Sequence, residues 1–371
     1  MKPTKPGMKP RRLLIVFAAL VFLPLLFISC SRCTVGDVRI GEPGGGESRT
    51  ITIMSYNVEN LFDDVDNGTE YREFDPGEGE WTADHFYAKM LALAEVIEST
   101  GPERPDILAL QEVENLDTLE TFRDEVLKNG GYRYAALVEA PEAAVNTGVL
   151  SAFPVTGLRS HLLHGEGTER LRGILEAEID FGGTTLYLFN NHWKSKAGGA
   201  EETECLRIEA AELLARRIGS ILAEDPSAEI VVCGDLNENH DEYVRIGKAY
   251  PTALLPAGEP ADAPIYLTGD PEKMQSLRNG GGSGAESLVL YSPWFESEAR
   301  GSYVYRNSWE TIDHFLLGPG LFDEEGVTYA GFSVGKKPFM LDEEGHPLRW
   351  YTETRSGYSD HLPLLLELEL E

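Results

Sequence analysis

The chain has 371 residues, 42% of them hydrophobic, and a formal net charge of −30. That is enough apolar material for one large domain or two small ones. The charge argues against a protein that grips nucleic acid through a broad basic face, because such binding rests on neutralising phosphates. It leaves open an enzyme that meets a phosphodiester briefly with the help of a divalent cation.

In chain order the first feature is a targeting segment. Lys2, Lys5, Lys9, Arg11 and Arg12 precede the apolar run LLIVFAALVFLPLLFIS, and Cys30 follows Ser29. The pattern resembles a bacterial lipoprotein signal. That implies removal of residues 1–29, acylation of Cys30 and a cell-envelope location facing the periplasm or the outside. The alternative is an uncleaved anchor helix, against which stand the shortness of the run and Pro24. Residues 30–49 are polar and Gly-rich and read as a flexible tether. The remaining cysteines, Cys33, Cys205 and Cys233, suggest neither a metal-binding spacing nor a disulfide framework.

Residues 50–371 read as one domain without internal repeats. TITIMSYNV predicts a strand. TADHFYAKMLALAEVIEST predicts a helix, with Thr82 at its cap and apolar residues at helical spacing. PDILALQEV predicts a short buried strand, TLETFRDEVLKNGG a helix closed by Gly, and TTLYLFNNHW another strand. EETECLRIEAAELLARRIGSILAE predicts the next helix and EIVVCGDLN the next strand. Beyond Asp270 the pattern loosens through RNGGGSGAE. Strands return at SYVYR, at TIDHFLLG and in the terminal run, where Leu362, Leu364, Leu366, Leu368 and Leu370 alternate with other residues. Strands that alternate with helices, then run on without them, predict a layered α/β or α+β domain with sheets inside and helices outside.

Several strand ends carry polar groups where a core strand should simply reach a turn. They offer Asn57, Glu59 and Asn60; Gln111 and Glu112; Asn191, His192 and Lys194; Asp235 and Asn237; Asp313; and Asp360 with His361. Each alone is ordinary: an Asp after Gly is usually a turn residue. Together they are hard to explain structurally, because converging carboxylates repel unless a cation or a proton lies between them. Asp, Glu and Asn oxygens suit Mg²⁺ or Mn²⁺, and two histidines can move protons near neutral pH. This is equipment for metal-assisted hydrolysis of a phosphoester.

In this order the motifs SYNVENLFD, ALQEVEN, NHWKSK, GDLN and SDHLP resemble those of the endonuclease/exonuclease/phosphatase superfamily, the DNase I-like fold, over residues 51–371. The Lys-Ser-Lys ending is similar to that of extracellular bacterial nucleases. The resemblance implies a four-layer α/β sandwich of two packed, largely antiparallel sheets flanked by helices. It implies Glu112 as principal metal ligand, with Asn57 close by and Asp360 helping, for Mg²⁺, Mn²⁺ or Ca²⁺. Asp313 would orient its neighbours. His192 would contact the phosphate or assist the leaving oxygen, and Asp235 and Asn237 would position water and phosphate. His361 would bind phosphate or act as base. Asn191, Lys194, Arg172 and Arg207 are substrate-binding candidates.

The expected activity is metal-dependent phosphodiester hydrolysis by a monomer, with DNA or RNA as transient partner and the membrane reached through the lipid anchor. SWETIDHFLL lacks the Cys and Arg that accompany inositide phosphatases of this fold. A phospholipid or small phosphoester hydrolase is the alternative, prompted by the aromatic stretch around Trp294 and Phe295. An inactive surface binding protein is the third reading.

Overall fold

The computed structural model describes residues 49–164, 168, 171–279 and 288–370. Cys30, Cys33, the targeting segment and nearly all of the tether lie outside the described residues. The strands are β1 (Arg49–Leu61), β2 (Ile107–Val113), β3 (Tyr134–Val138), β4 (Asn146–Ser151), β5 (Val155–His161), β6 (Ile174–Asp180), β7 (Thr185–His192), β8 (Glu229–Asp235), β9 (Leu254–Pro256), β10 (Ile265–Thr268), β11 (Leu288–Tyr291), β12 (Tyr303–Tyr305), β13 (Ser308–Glu310), β14 (Asp313–Leu317), β15 (Val327–Val334) and β16 (Leu364–Leu370). The α-helices are α1 (Ala83–Ser99), α2 (Leu116–Thr121), α3 (Glu204–Glu224), α4 (Glu242–Arg245) and α5 (Pro271–Asn279).

Two sheets form, in the orders β15-β16-β1-β2-β4-β3 and β5-β6-β7-β8-β14-β11-β10-β9, and β12 pairs only with β13. The sheets are mostly antiparallel, with parallel pairings at β1–β2, β7–β8 and among β9, β10 and β11. Strand alternation sorts the side chains into layers. Ile51, Ile53, Ile107 and Ala109 of the first sheet meet Leu186, Leu188, Val231, Cys233 and Phe315 of the second. The opposite face of β1 and β2 sends Met54, Tyr56, Leu108 and Leu110 against Phe86, Met90, Leu93 and Ile97 of α1. Phe189, Ile230, Val232 and Leu316 cover the other side, against Ala211, Leu214 and Ile218 of α3. Each such side chain contributes about 1.5–3 kcal/mol by leaving water. The result is helix, sheet, sheet, helix.

Local details differ from the sequence expectations. The segment TLETFRDEVLKNGG forms α2 and then one wide turn over Phe122–Val126, and ends before Asn129. Thr82 precedes α1 but its side chain caps nothing; its Oγ1 lies 2.7 Å from His85 Nδ1 instead. The last strand starts at Leu364 rather than Leu362, because Pro363 has no amide hydrogen for the ladder.

Candidate active site

The layer between the sheets changes character along the strands. In β1 the inward row reads Ile51, Ile53, Ser55, Asn57; in β2, Ile107, Ala109, Gln111; in β8, Val231, Cys233, Asp235. Each row begins apolar and ends polar at the same end of the sandwich. Buried Gln111 donates to Asn190 Oδ1 (2.7 Å), and Asn190 donates to the Leu110 and Gly148 carbonyls (2.9 Å each), forming an amide floor beneath that end.

Above the floor, pairing fixes neighbours. His192 sits opposite Asp235 in the β7–β8 register, and Asp313 opposite Asp235 in the β8–β14 register. Gly234 allows the close approach: its φ is +119°, and a Cβ there would lie 2.0 Å from the Asn191 carbonyl oxygen. From the first sheet comes Glu112. Plain alternation would send it outward, but register breaks beside it and its φ of 66° turn it into the site. Glu59, Asn60 and Asn237 are also left-handed, with φ of 51°, 63° and 52°. Such backbone costs about 1–3 kcal/mol per residue and gathers at functional sites.

The polar groups interlock. Asn57 Nδ2 donates to Glu112 Oε1 (3.1 Å) and Asp235 Oδ2 (3.2 Å), and the Asn60 amide donates to Glu112 Oε2 (3.0 Å). His192 Nε2 lies 3.7 Å from Glu112 and 3.6 Å from Asp235, while its Nδ1 has no partner among the described residues. His361 Nδ1 donates to Asp313 Oδ2 (2.8 Å), which also accepts from Ser302 Oγ (2.5 Å). The other nitrogen, Nε2, lies 3.9 Å from both Asp235 and Asp360. The Asn237 amide NH donates to Asp235 (2.9 Å), and its side chain to the Trp193 carbonyl (3.2 Å). These residues open on a cleft of about 890 Å³, also lined by Lys196, Tyr303 and Arg349.

The two imidazoles carry opposite electrostatics. Burial pushes His192 well below the usual imidazole range, and the neighbouring Arg172 and His361 push it further. Burial also acts to lower His361, but the Asp313 carboxylate, with Asp360 and Asp235 behind it, outweighs burial and holds it well above that range. Burial raises Asp235 to about 7, with Asp313 adding and His361 opposing. Glu112 is raised by burial and then by Asp360. That repulsion and the carboxylate oxygens of Glu112 and Asp360 fit a hard divalent cation, which would relieve it; Asn57 turns its Nδ2 toward Glu112, and its Oδ1 accepts from the Glu59 amide (3.0 Å). Asp235, Asp313 and His361 also offer ligand atoms within 4.8 Å of one another. The hydrogen bond between Asp313 and His361 commits that pair to orienting an imidazole.

None of the four substrate-binding candidates lines the cleft. Arg207 is fully buried on α3, bonded to Glu204 (2.5 Å) and to the Lys194 and Ala200 carbonyls, with Glu238 at 3.8 Å. It ties a helix to a loop and cannot reach the cleft. Asn191 lies on the outer face of β7 and bonds the Phe189 and Cys233 carbonyls and the Trp193 indole. Lys194 turns back to the Ser195 and Ala197 carbonyls and braces its own loop. Arg172 lies behind the site, donating to the Trp193 carbonyl (2.8 Å).

Glu59 and Ser359, both inside the motifs, act here with Lys89, Tyr303 and Arg349, which the motifs did not single out. Glu59 Oε2 accepts from the Trp350 (2.8 Å) and Asp360 (3.0 Å) amides, and its Oε1 pairs with Arg349 at 2.9 Å. Beneath it Lys89 is wholly buried and donates to the Tyr358 carbonyl (2.7 Å). Ser359 Oγ donates to the Asn57 carbonyl (2.7 Å), stitching the last motif to the first. Tyr303 lies over His361 with ring centroids 4.6 Å apart. Besides Glu59, a Lys89 on an otherwise apolar helix face was readable; Arg349 and Tyr303 gave no signal.

A family described as Endonuclease/Exonuclease/phosphatase matches residues 52–247. No curated protein sequence matches the chain. Three similar solved structures each have a TM-score of 0.50. Caenorhabditis elegans TDP2 is 15% identical, over 87% of this chain and 75% of that one. A Bacteroides thetaiotaomicron endonuclease/exonuclease/phosphatase family protein is 14% identical, over 88% and 100%. A Bacteroides vulgatus endonuclease/exonuclease/phosphatase is 13% identical, over 87% and 100%. At these identities the likeness is one of fold, and at 87–88% of the chain it extends past residue 247. With a family match over more than half its length and the sandwich that goes with it, the chain belongs to the endonuclease/exonuclease/phosphatase family.

Proposed function

We propose that this protein is a divalent-cation-dependent phosphodiesterase that hydrolyses nucleic acid, held at the cell envelope through acylated Cys30. One observation carries the catalytic reading. Two buried imidazoles, His192 and His361, the buried carboxylate of Asp235 and the part-buried carboxylate of Glu112 converge within 4 Å contacts on one cleft. The anchor rests on the amino-terminal sequence pattern; no described helix is long and apolar enough to cross a membrane.

Each group has a task that its surroundings suit. Glu112 and Asp360 would hold Mg²⁺ or Mn²⁺, with Asn57 steadying Glu112 through its Nδ2; the ion when bound supplies charge for the phosphate oxygens and the departing oxygen. Asp235, raised to about 7, is placed to take the proton of a water attacking phosphorus in line. Asn237 fixes the orientation of Asp235 through its amide hydrogen bond. Cationic His361 would neutralise charge developing on the phosphoryl oxygens, as would the N–H of neutral His192. Asp313 keeps the first imidazole charged and aimed.

Of the two aromatics that prompt a lipid reading, Phe295 is 42% exposed, but Trp294 gives that reading no support. Trp294 is buried, and its indole donates to the Asp313 carbonyl (2.8 Å), so it braces the site from below. The test is nicking of supercoiled plasmid in Mg²⁺ or Mn²⁺, with a chelator arm and Glu112→Gln. Nicking that needs metal and vanishes in the variant is expected. A folded protein that cleaves phospholipid but no nucleic acid would overturn the reading.

A further inference from the structure

β12 and β13 belong to neither sheet. They form a hairpin fastened to the catalytic end of the chain: Tyr303 bridges His361, and the Leu362 amide donates to the Ser302 carbonyl (2.7 Å). Residues two apart on a strand face one side. Tyr305 therefore follows Tyr303 along the cleft, displaced by about 7 Å, a distance comparable to one step of an extended polynucleotide. Both tyrosines line the cleft, but Tyr305 is 50% exposed.

The hairpin tip is a two-residue turn, closed by the pair Tyr305 and Ser308, with Arg306 and Asn307 at φ of 48° and 65°. Such a turn needs both central residues left-handed; Asn and Gly suit it and Arg does not. The strained arginine lines the cleft with its guanidinium 5.0 Å from the Tyr305 ring centroid. Other cleft cations are committed: Lys196 to Glu242 (2.8 Å) and Arg349 to Glu59 (2.9 Å). Among the described residues Arg306 has no carboxylate partner.

We infer that this hairpin is a nucleotide subsite: Tyr305 stacks an unpaired base next to the scissile phosphate, and Arg306 takes the neighbouring phosphate. The inference rests on the nuclease reading and narrows it to single-stranded nucleic acid or frayed ends. A half-exposed aromatic ring, with a guanidinium over it that has no carboxylate partner among the described residues, offers a base a stacking face and its phosphate a cation. A base inside a duplex offers no free face to Tyr305.

The test compares wild type, Tyr305→Ala and Arg306→Gly on short single-stranded DNA and RNA, on the matching duplexes and on a small chromogenic methyl phosphodiester that carries no base. For each variant the ratio of kcat/KM on single strands to that on the small diester should fall about 10-fold, mostly through KM. Arg306→Gly relieves the turn, so its melting temperature should hold or rise while that ratio falls. A ratio that does not move, in a wild type that does cut single strands, overturns the subsite and leaves the nuclease reading standing. Equal losses on duplex and single strands overturn the unpaired-base assignment. A wild type that hydrolyses the small diester and no oligonucleotide overturns both readings.

Discussion

Asp313→Asn isolates the charge that controls His361. The substitution keeps the shape and an oxygen acceptor but removes the carboxylate 2.8 Å from Nδ1, where the two side chains are 3% and 7% exposed. At an effective dielectric constant of about 20, unit charges at that distance attract by about 6 kcal/mol before desolvation is subtracted. Without Asp313, burial, the largest single influence on His361, pulls its pKa down against only Asp360 and Asp235 at 3.9 Å. If the cationic imidazole stabilises the transition state, its loss costs about 3–4 kcal/mol, two to three decades in kcat. The assay is turnover of plasmid and of a small diester between about pH 5 and pH 9. In wild type the raised pKa keeps His361 charged through neutrality; in the variant the proton is lost earlier, so residual activity should recover as pH falls. Stability follows the same sign. A raised histidine contributes fully below its unfolded value of about 6.5 and loses that contribution as pH rises through the folded value. The variant should therefore be most destabilised on the acid side. A kcat within about 3-fold of wild type, with an unshifted pH profile, would refute the charge argument.

Glu112→Gln should abolish metal-dependent turnover and weaken Mn²⁺ binding in calorimetry. Its melting temperature should hold or rise, since burial and Asp360 work against that carboxylate. Arg207→Met strands Glu204 and Glu238 beside a missing cation and should cost about 3–5 kcal/mol in denaturant unfolding; a raised KM with unchanged stability would instead return Arg207 to the substrate. Glu229, whose Oε2 has no partner among the described residues, is raised by burial to about 7. A raised carboxyl favours the fold below its unfolded pKa and loses that as pH rises through 7. Discounted for partial solvent access, Glu229→Gln should gain about 1–2 kcal/mol on wild type between pH 5 and pH 8, and equal stabilities at both pH values would contradict this. With few uncommitted cations in the cleft, log kcat/KM on single strands should fall with log salt at a slope no steeper than about −1.5; about −3 or steeper would mean phosphate contacts made elsewhere.

The layers were legible because the strands announce their inner faces. Ile51, Ile53 and Ile107, Ala109 carry a period of two that tolerates no slip without exposing a core row. The polar ends of those same rows marked the site: Asn57, Asp235 and Asp313 sit where the alternation says an inward residue belongs. Glu112 was legible only by motif. Alternation points it outward, and its turn into the cleft depends on a left-handed backbone that a non-Gly residue does not advertise. The hairpin tip was missed for the same reason, since Arg306 and Asn307 do not spell a turn that needs two positive φ angles.

Cations were the least legible part, and the reason is physical. A side-chain charge says nothing of its partner. The resemblance makes Lys194 and Arg207 substrate-binding candidates, and Lys196 stands beside them in NHWKSK. In the fold, Arg207 is consumed by Glu204, Lys196 by Glu242, and Lys194 by its own loop carbonyls. With net charge at −30, acids outnumber bases about two to one, so a cation at the cleft readily finds a carboxylate unless the backbone holds it away. The strained tip of β12–β13 does that for Arg306. An acidic enzyme of this kind does not attract a polyanion with its surface at large; it must rely on a few contacts made after arrival, which is why the hairpin is the place to look for specificity.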